Sequence, residues 1–237
     1  MDIRNRVIYE SNEYFERNKH LYDKEGEASP GTCIAGAFLK KIKDECPESI
    51  SNVLEIGCNY GYNLKYLSSI LNYQIRIEGG GGINAYGIDT SDKAIDFGRK
   101  KWNDDSDNIH LLQACSNDLP FCDNQFDVVM IGFCLYITPR EWISSSLLEI
   151  HRVLKNGGFL IITDFDTPVW YKRINKHNEE MSVYKEDYSK RFMDFGYTLI
   201  EKHTYSHDSD FFPRDVQERV STQILYKESP DDLYFLA

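Results

Sequence analysis

Two glycines and two carboxylates have the types and spacing expected at a site for a nucleotide-like ligand. Gly57 and Gly61 bracket a short turn after an apolar segment, and Glu55 lies two residues before the first glycine. Gly57 lets the chain turn sharply and approach a ligand, and the amides that begin the following helix can face a carboxylate. Asp89 ends a second apolar segment, where its carboxylate can accept two hydrogen bonds from a ribose diol. Together these residues predict a site for a ligand that contains a ribose.

Two ligands that contain a ribose, a dinucleotide and S-adenosylmethionine, fit the turn at Gly57–Gly61 to different degrees. A dinucleotide needs the spacing G-x-G-x-x-G to admit its pyrophosphate, and the segment Gly57-Cys58-Asn59-Tyr60-Gly61 lacks that spacing. A carboxylate at Glu55 is also out of place beside a pyrophosphate, whereas it suits the ammonium group of S-adenosylmethionine (SAM). The residues therefore favour SAM, and a nicotinamide-dependent oxidoreductase is kept as an alternative.

The elements that must position these residues alternate between strand and helix. Buried strands are predicted at residues 53–56, 85–89, 109–114, 126–131 and 159–163, with amphipathic helices between them and a glycine insertion at residues 79–82. Ser91 is the predicted cap of one helix. Continuous apolar strands that alternate with helices are typical of a Rossmann-like, doubly wound α/β fold with a mostly parallel sheet.

The two ends of the chain extend this pattern. Residues 1–30 are predicted to be helical and to form a lid, residues 164–186 an irregular polar connection, and residues 184–195 a helix. Strands at 197–205 and 221–226 would close the sheet as an antiparallel pair, giving seven strands with an antiparallel C-terminal strand. We expect one domain over residues 1–237, with an N-terminal helical lid (1–48), a cofactor-binding core (49–165) and a substrate side (166–237).

Composition narrows the partners. The chain has 237 residues, a net charge of −11 and no basic stripe, which argues against DNA or large RNA as a partner. It has no apolar run of the roughly 18 residues that a membrane span needs, and its N-terminus is polar and charged. We therefore expect a cytoplasmic protein.

The six cysteines contain no C-x-x-C pair, which predicts reduced thiols and neither disulfide bonds nor a metal site. The oligomeric state stays open between monomer and homodimer.

Four segments in a fixed order resemble the motifs of class I SAM-dependent methyltransferases of the type 11 group. VLEIGCNYGYNL is similar to motif I and AYGIDTSDKAIDFGRKK to motif II, and NDLPFCDNQFDVVM and LLEIHRVLKNGGFLIITDF are similar to the later motifs. The resemblance covers residues 53–165. It implies a methyltransferase that uses SAM as its cofactor and releases S-adenosyl-L-homocysteine.

The resemblance also implies a set of cofactor-binding residues. The methionine part of SAM would be held by Glu55, Gly57, Cys58, Asn59 and Gly61, and the ribose by Asp89 and Thr90. The adenine would be lined by Ser116, Asn117, Asp118 and Leu119. The sulfonium would lie over Gly132 and Phe133. Two positions depart from the family pattern. Asn59 replaces the usual middle glycine, and Cys115 stands where an aspartate that bonds the adenine amine is common. Recognition of that amine would then fall to Asn117, Asp118 or a backbone carbonyl.

The segment that follows resembles methyltransferases found near bacterial surface-sugar biosynthesis genes, including those associated with pseudaminic acid biosynthesis. The similar parts are DFDTP and SVYKEDY, with His177 between them, and they imply a small acceptor such as a sugar or sugar nucleotide. A hydroxyl acceptor would need a nearby acid-base residue. Asp164 and His177 are the predicted catalytic residues, with Asp166, His203 and His207 as further candidates and Tyr136 as a possible acceptor contact. The alternative function is a SAM-binding partner subunit without catalysis.

Overall fold

The apolar segments of the sequence form the strands and helices of an α/β protein. The computed structural model describes residues 2–21, 28–46, 49–72, 82–102, 108–175, 178–207 and 215–229. They belong to two compact units, Met1–Pro120 and Phe121–Ala237, and each unit is considered by itself.

The described part of the first unit contains four α-helices, one 3-10 helix and three strands. In chain order they are α1 (Ile3–Asn18), a 3-10 helix (Lys19–Leu21), α2 (Pro30–Glu45), β1 (Asn52–Ile56), α3 (Tyr62–Leu71), β2 (Asn84–Asp89), α4 (Asp92–Lys101) and β3 (Ile109–Gln113). The strands run parallel in the order β3-β2-β1. Their carboxyl ends therefore lie at one edge, which is where ligands bind in open α/β sheets.

Local sequence signals explain how the helices of this unit begin. The side chain of Ser91 accepts a hydrogen bond from the amide of Ala94, so the predicted cap of α4 is confirmed. The apolar face of α3 is buried, as its spacing predicts, and includes Leu64 and Leu67. At the N-terminus, the buried ring of Phe15 lies 5.6 Å from that of Phe97, so that α1 packs against α4.

The described part of the second unit contains two α-helices, two 3-10 helices, four strands of the main sheet and a separate hairpin. Its elements are β4 (Phe126–Gly132), a 3-10 helix (Leu135–Ile137), α5 (Arg140–Val153), β5 (Leu154–Phe165), β6 (Tyr171–Asn175), β7 (Asn178–Lys185), α6 (Ser189–Met193), β8 (Tyr197–Ser206), a 3-10 helix (Val216–Glu218) and β9 (Arg219–Lys227). The sheet order is β4-β5-β9-β8, and among the described residues β6 and β7 pair only with each other.

The predicted fold class is confirmed. The main sheet has seven strands, and β9 runs antiparallel to both of its neighbours, β5 and β8. The five strands predicted from apolar runs are all present, with bounds that differ by a few residues. No helix within the described ranges is long and apolar enough to cross a membrane.

Two predictions for the segment after β5 were wrong. Residues 164–186 are not an irregular connection, because β6 and β7 form an antiparallel hairpin there. The helix predicted over residues 184–195 is reduced to α6, because Tyr184 and Lys185 are paired with β6. The glycine insertion at residues 79–82 lies outside the described residues except for Gly82, and in the N-terminal segment the structure describes helix over Ile3–Asn18 and Lys19–Leu21.

Candidate functional site

Glu55 lies near the end of β1 and is buried, with 2% of its surface exposed. Its Oε1 accepts a hydrogen bond of 2.7 Å from the side-chain amide of Asn63. Its Oε2 is buried without a hydrogen-bond partner. Burial raises the pKa of Glu55 to about 7, although the Asn63 hydrogen bond opposes the shift. An unsatisfied carboxylate oxygen in this position is suited to accept a hydrogen bond from a cationic ligand.

The turn after β1 is held against the end of β2. The amides of Gly57 and Cys58 both donate to the carbonyl of Ile88, at 2.8 and 2.9 Å. Asn59 has a φ of 51°, in the left-handed region that asparagine tolerates better than most residues. This conformation explains how asparagine can replace the middle glycine of the motif. Gly61, with a φ of 83°, then begins α3.

Asp89 joins this turn to the one that follows β2. One carboxylate oxygen accepts from the amide of Asn59 and the other from the amide of Ser91, both at 2.8 Å. Burial raises the pKa of Asp89, and the backbone hydrogen bonds oppose the shift. A carboxylate oxygen has two lone pairs, so that each can still accept a hydroxyl proton. Asp89 therefore combines the geometry of a positioning residue with the capacity to bind a diol.

The residues predicted to surround adenine form a tight turn after β3. The amide of Asp118 donates to the carbonyl of Cys115 at 3.2 Å, and the two residues form an isolated bridge. The Oδ1 atom of Asn117 is buried without a hydrogen-bond partner. Cys115 is buried, which raises the pKa of its thiol. Among the three alternatives for recognising an adenine amine, the side chain of Asn117 thus has an unsatisfied acceptor.

A small, partly open cavity of about 60 Å³ lies between α1 and the ends of β2 and β3. Its lining residues are Arg4, Ile8, Thr90, Gln113, Ala114 and Cys115. Hydrogen bonds connect the two sides. The hydroxyls of Ser11 and Thr90 are 2.5 Å apart, and the side chain of Asn12 accepts from that of Ser91 and donates to that of Asp92. The N-terminal helix is therefore fixed beside the turn after β2.

The remaining predicted residues lie in the second unit. Gly132 ends β4, and Phe133 follows it with a φ of 46°, which is unusual for a bulky residue. Asp164 is 3% exposed, and its carboxylate accepts from the amides of Tyr136 and Phe165. Burial raises the pKa of Asp164 to about 7. These contacts hold the 3-10 helix Leu135–Ile137 against the end of β5.

The histidines and the second aspartate predicted near the acceptor have different surroundings. Asp166 accepts a hydrogen bond of 2.9 Å from Lys202, and His203 pairs with Glu201. The ring of His207 stacks on that of Phe165 with centroids 5.8 Å apart. His177 lies outside the described residues. Of these candidates, His207 shares an aromatic cluster with Phe133 and Phe165.

Sequence reasoning missed the hairpin residues. Lys185 is 1% exposed, and its ammonium lies 3.3 Å from the centroid of the Phe165 ring. Arg173 and Tyr171 also have buried polar atoms. In the sequence these residues belong to a polar segment without periodicity, and only the pairing of β6 with β7 turns them toward the protein.

Comparison with known proteins agrees with this geometry. Residues 54–162 match the family model described as a methyltransferase domain. A ubiquinone/menaquinone biosynthesis C-methyltransferase of Vibrio parahaemolyticus is 38% identical over 34% of this chain and 31% of its own length. Residues 54–162 therefore carry a methyltransferase domain.

Longer matches extend the similarity beyond this domain. The corresponding C-methyltransferase of a Geobacter species is 30% identical over 62% of this chain and 61% of its own length. The match therefore covers less than two thirds of either relative. A crystal structure of the Burkholderia thailandensis 1,6-didemethyltoxoflavin-N1-methyltransferase with bound S-adenosylhomocysteine has a TM-score of 0.63 at 13% identity. It covers 97% of this chain and 92% of its own, and shows that the fold is shared.

The first unit has features that fit SAM, the cofactor of this family. The unsatisfied Oε2 of Glu55 suits the ammonium group, Asp89 suits the ribose hydroxyls, and the unsatisfied Oδ1 of Asn117 suits the adenine amine. Eleven of the thirteen predicted cofactor residues lie in this unit, and Gly132 and Phe133 lie in the other. Within the described part of the chain, no group of three or more His, Cys, Asp or Glu residues could hold a metal ion.

Proposed function

We propose that this protein is an enzyme that transfers a methyl group from SAM to a small-molecule acceptor. The observation that carries the proposal is the turn at Glu55–Gly61, in which a buried carboxylate keeps one unsatisfied oxygen while Asp89 fixes the turn beside it. When bound, SAM supplies a methyl group that is activated by its positive sulfur. The chain itself needs to align the acceptor and exclude water.

Each group of residues has a part in this proposal. Glu55 binds the ammonium group, Asp89 accepts from the ribose, and Asn117 accepts from the adenine amine. Gly57, Cys58, Asn59 and Gly61 form the turn that approaches the methionine part, and Thr90, Ser116, Asp118 and Leu119 border the ribose and adenine. Gly132 and Phe133 are proposed to meet the sulfonium. Asp164 holds the segment after β4 through its hydrogen bonds, and a catalytic role for Asp164 and His177 stays a prediction.

For the acceptor we propose only a class, that of small molecules, and no particular compound. The relatives' names describe C-methylation in ubiquinone/menaquinone biosynthesis and N1-methylation of 1,6-didemethyltoxoflavin. A sugar or sugar nucleotide rests on the resemblance of the segment after Asp164 and stays a prediction. The cytoplasmic location, the absence of a DNA partner and the oligomeric state are also predictions.

Titration calorimetry with S-adenosylhomocysteine, and separately with NAD, tests the cofactor assignment. We expect micromolar binding of S-adenosylhomocysteine and none of NAD. Asp89→Ala should weaken binding by roughly 1 to 3 kcal/mol, because it leaves ribose hydroxyls without partners. Asp96→Ala, on the exposed side of α4, is the matched control and should have no effect. Binding of NAD alone would overturn the proposal.

Catalysis requires a separate assay. Release of S-adenosylhomocysteine from SAM in the presence of candidate acceptors would support an enzyme. If the protein binds S-adenosylhomocysteine but no acceptor class promotes its release, the alternative of a partner subunit without catalysis is favoured.

A further inference from the structure

One face of the β6–β7 hairpin is directed toward the protein. Tyr171 is paired with Lys185, and Arg173 with Val183. Residues directly opposite each other, and residues two apart on one strand, project from the same face of an antiparallel pair. These four side chains therefore share a face, which we call the hairpin underside. Lys185 and Val183 are 1% and 3% exposed, so this face is the buried one.

The hairpin underside is fixed by contacts to two neighbouring segments. The ammonium of Lys185 donates to the carbonyl of Gln217, and the guanidinium of Arg173 donates at 3.0 Å to the side chain of the same residue. The Lys185 ammonium also lies over the ring of Phe165. Strand β7 packs against the 3-10 helix Leu135–Ile137. The hairpin thus covers the carboxyl end of β5.

Four aromatic rings lie at this end of β5. Phe165 is central: Phe133 meets it edge-on at 5.8 Å, Tyr136 does so at 5.1 Å, and His207 stacks on it at 5.8 Å. Phe133 and His207 also meet at 5.4 Å. None of the four rings is fully buried. They form a partly open aromatic wall, a surface suited to the face or edge of a planar ring.

Two polar groups on the hairpin underside have no hydrogen-bond partner among the described residues. The hydroxyl of Tyr171 and the Nε of Arg173 are both buried and unsatisfied. Leaving a buried donor unsatisfied costs about 1 to 3 kcal/mol, and such groups in a native structure call for an explanation. The Nε–H of arginine can only donate, and a tyrosine hydroxyl can donate as well. A ligand that satisfies both must present an acceptor atom such as oxygen.

Backbone strain marks the same wall. Phe133 has a φ of 46° although it is a bulky residue, and its amide donates to the carbonyl of Thr163 at 2.8 Å. Such conformations persist where the surroundings impose them, and they are concentrated at ligand-binding and active sites. Here the strained backbone directs the Phe133 ring onto Phe165 and His207.

We propose that the hairpin underside and the aromatic wall form the acceptor subsite, and that its ligand is an aromatic ring bearing a phenolic or carboxylate oxygen. The ring packs against Phe133, Phe165 and His207, and the oxygen accepts hydrogen bonds from Tyr171 and Arg173. The proposal rests on the methyltransferase function proposed above and specifies its acceptor class. It differs from the sugar acceptor expected from the sequence.

The test uses the full chain saturated with S-adenosylhomocysteine, with 4-hydroxybenzoate as the probe and UDP-N-acetylglucosamine as the competing acceptor class. Binding is measured by calorimetry, and ligand contact by saturation-transfer NMR. We expect 4-hydroxybenzoate to bind and UDP-N-acetylglucosamine not to bind. If the sugar nucleotide binds at the same protein concentration and 4-hydroxybenzoate does not, the proposal is overturned.

Two variants locate the bound ring. Tyr171→Phe removes one unsatisfied hydroxyl and should weaken 4-hydroxybenzoate binding by about 3- to 10-fold, the range expected for one hydrogen bond. It should not lower Tm, because the hydroxyl has no hydrogen-bond partner among the residues that the structure describes. Tyr184→Phe makes the same change on the other face of the hairpin, opposite Lys172, and should leave binding unchanged.

The failure of this proposal is distinguishable from the failure of the proposed function. If Tyr171→Phe and Tyr184→Phe change the affinity for 4-hydroxybenzoate equally, the Tyr171 hydroxyl does not contact the ligand. If Tyr171→Phe lowers Tm and leaves the affinity unchanged, the hydroxyl has a structural role only. Absence of 4-hydroxybenzoate binding to a protein that binds S-adenosylhomocysteine would overturn the acceptor class and leave the cofactor assignment intact. Absence of S-adenosylhomocysteine binding would overturn the proposed function itself.

Discussion

Asn59 and Cys115 are the residues at which the chain departs from its family's motifs, and their surroundings explain how each departure is accommodated. Asn59 adopts a left-handed conformation and donates its amide to Asp89, so the turn keeps its shape without glycine. Cys115 cannot supply a carboxylate, but the unsatisfied Oδ1 of Asn117 lies in the same turn. We propose that these neighbouring atoms preserve the chemical capacity of the motif.

The raised pKa of Glu55 leads to a prediction about proton release. With a pKa of about 7, the carboxyl is largely protonated below pH 7 in the free protein. A bound ammonium group favours the carboxylate, so that binding of S-adenosylhomocysteine lowers the pKa and releases a proton. Affinity should therefore fall as the pH decreases below 7. Calorimetry at about pH 6.5 in buffers of different ionisation enthalpy measures the proton release.

The matched variants for this prediction are Glu55→Gln and Glu45→Gln. Glu55→Gln should abolish the proton release and weaken binding, because it removes the titrating group. Glu45, at the exposed end of α2, should have no influence on either quantity. Proton release that persists in Glu55→Gln would show that another group titrates on binding.

At the scale of elements, the described contacts of α1 with the rest of its unit include an aromatic contact, an ion pair between Glu16 and Lys93, and a few hydrogen bonds. Phe15 packs on Phe97, while Ser11 and Asn12 bind the turn after β2. Arg4 and Ile8 on the same helix line the cavity beside Thr90 and Cys115. The position of α1 should therefore affect cofactor binding, as expected of a lid.

We predict that Phe15→Ala detaches α1 without unfolding the rest of the first unit. Truncating a buried phenylalanine costs about 3 to 5 kcal/mol, which exceeds what the remaining polar contacts of one helix supply. Hydrogen exchange should show loss of protection within Ile3–Asn18, and the affinity for S-adenosylhomocysteine should decrease. Tyr9→Ala, at a position that is 53% exposed, is the control. Unchanged affinity after loss of protection would contradict a lid function.

At the scale of the whole molecule, two buried carboxyls oppose stability at high pH. Glu55 and Asp164, one in each unit, have a pKa raised from its usual acidic value to about 7. The folded state binds more protons than the unfolded state between about pH 4 and pH 7, so the free energy of unfolding contributed by these groups decreases as the pH rises through that window. Most of this decrease in the free energy of unfolding is complete above pH 7.

Asp164→Asn should flatten this pH dependence. The amide does not ionise, so the decrease in the free energy of unfolding between about pH 5 and pH 8 should become smaller by a few kcal/mol. Urea denaturation at several pH values measures it. Asp194→Asn, at an exposed position after α6, is the control and should keep the slope of the unaltered protein. An unchanged slope in Asp164→Asn would show that Asp164 is ionised throughout.

The sequence by itself determined the elements that depend on local patterns. Apolar runs placed β1 to β5 and the α3, α4 and α5 helices, because a strand or helix that is buried on a parallel sheet needs continuous or periodic apolar residues. The motif spacing also indicated the turn at Gly57 and the carboxylates Glu55 and Asp89, since backbone conformation and ligand chemistry restrict which residues can occupy those positions.

Only the tertiary structure decided what the polar C-terminal segment does. Tyr171, Arg173 and Lys185 have no hydrophobic periodicity, and their burial results from cross-strand pairing and from contacts with Phe165 and Gln217, which are distant in sequence. The same reason applies to Asp164: its catalytic role stays a prediction, and only the folded structure shows that its carboxylate accepts hydrogen bonds from the amides of Tyr136 and Phe165. Whether a polar atom is buried, and whether it has a hydrogen-bond partner, depends on how distant segments pack in the folded protein. The order of residues along the chain does not show either property.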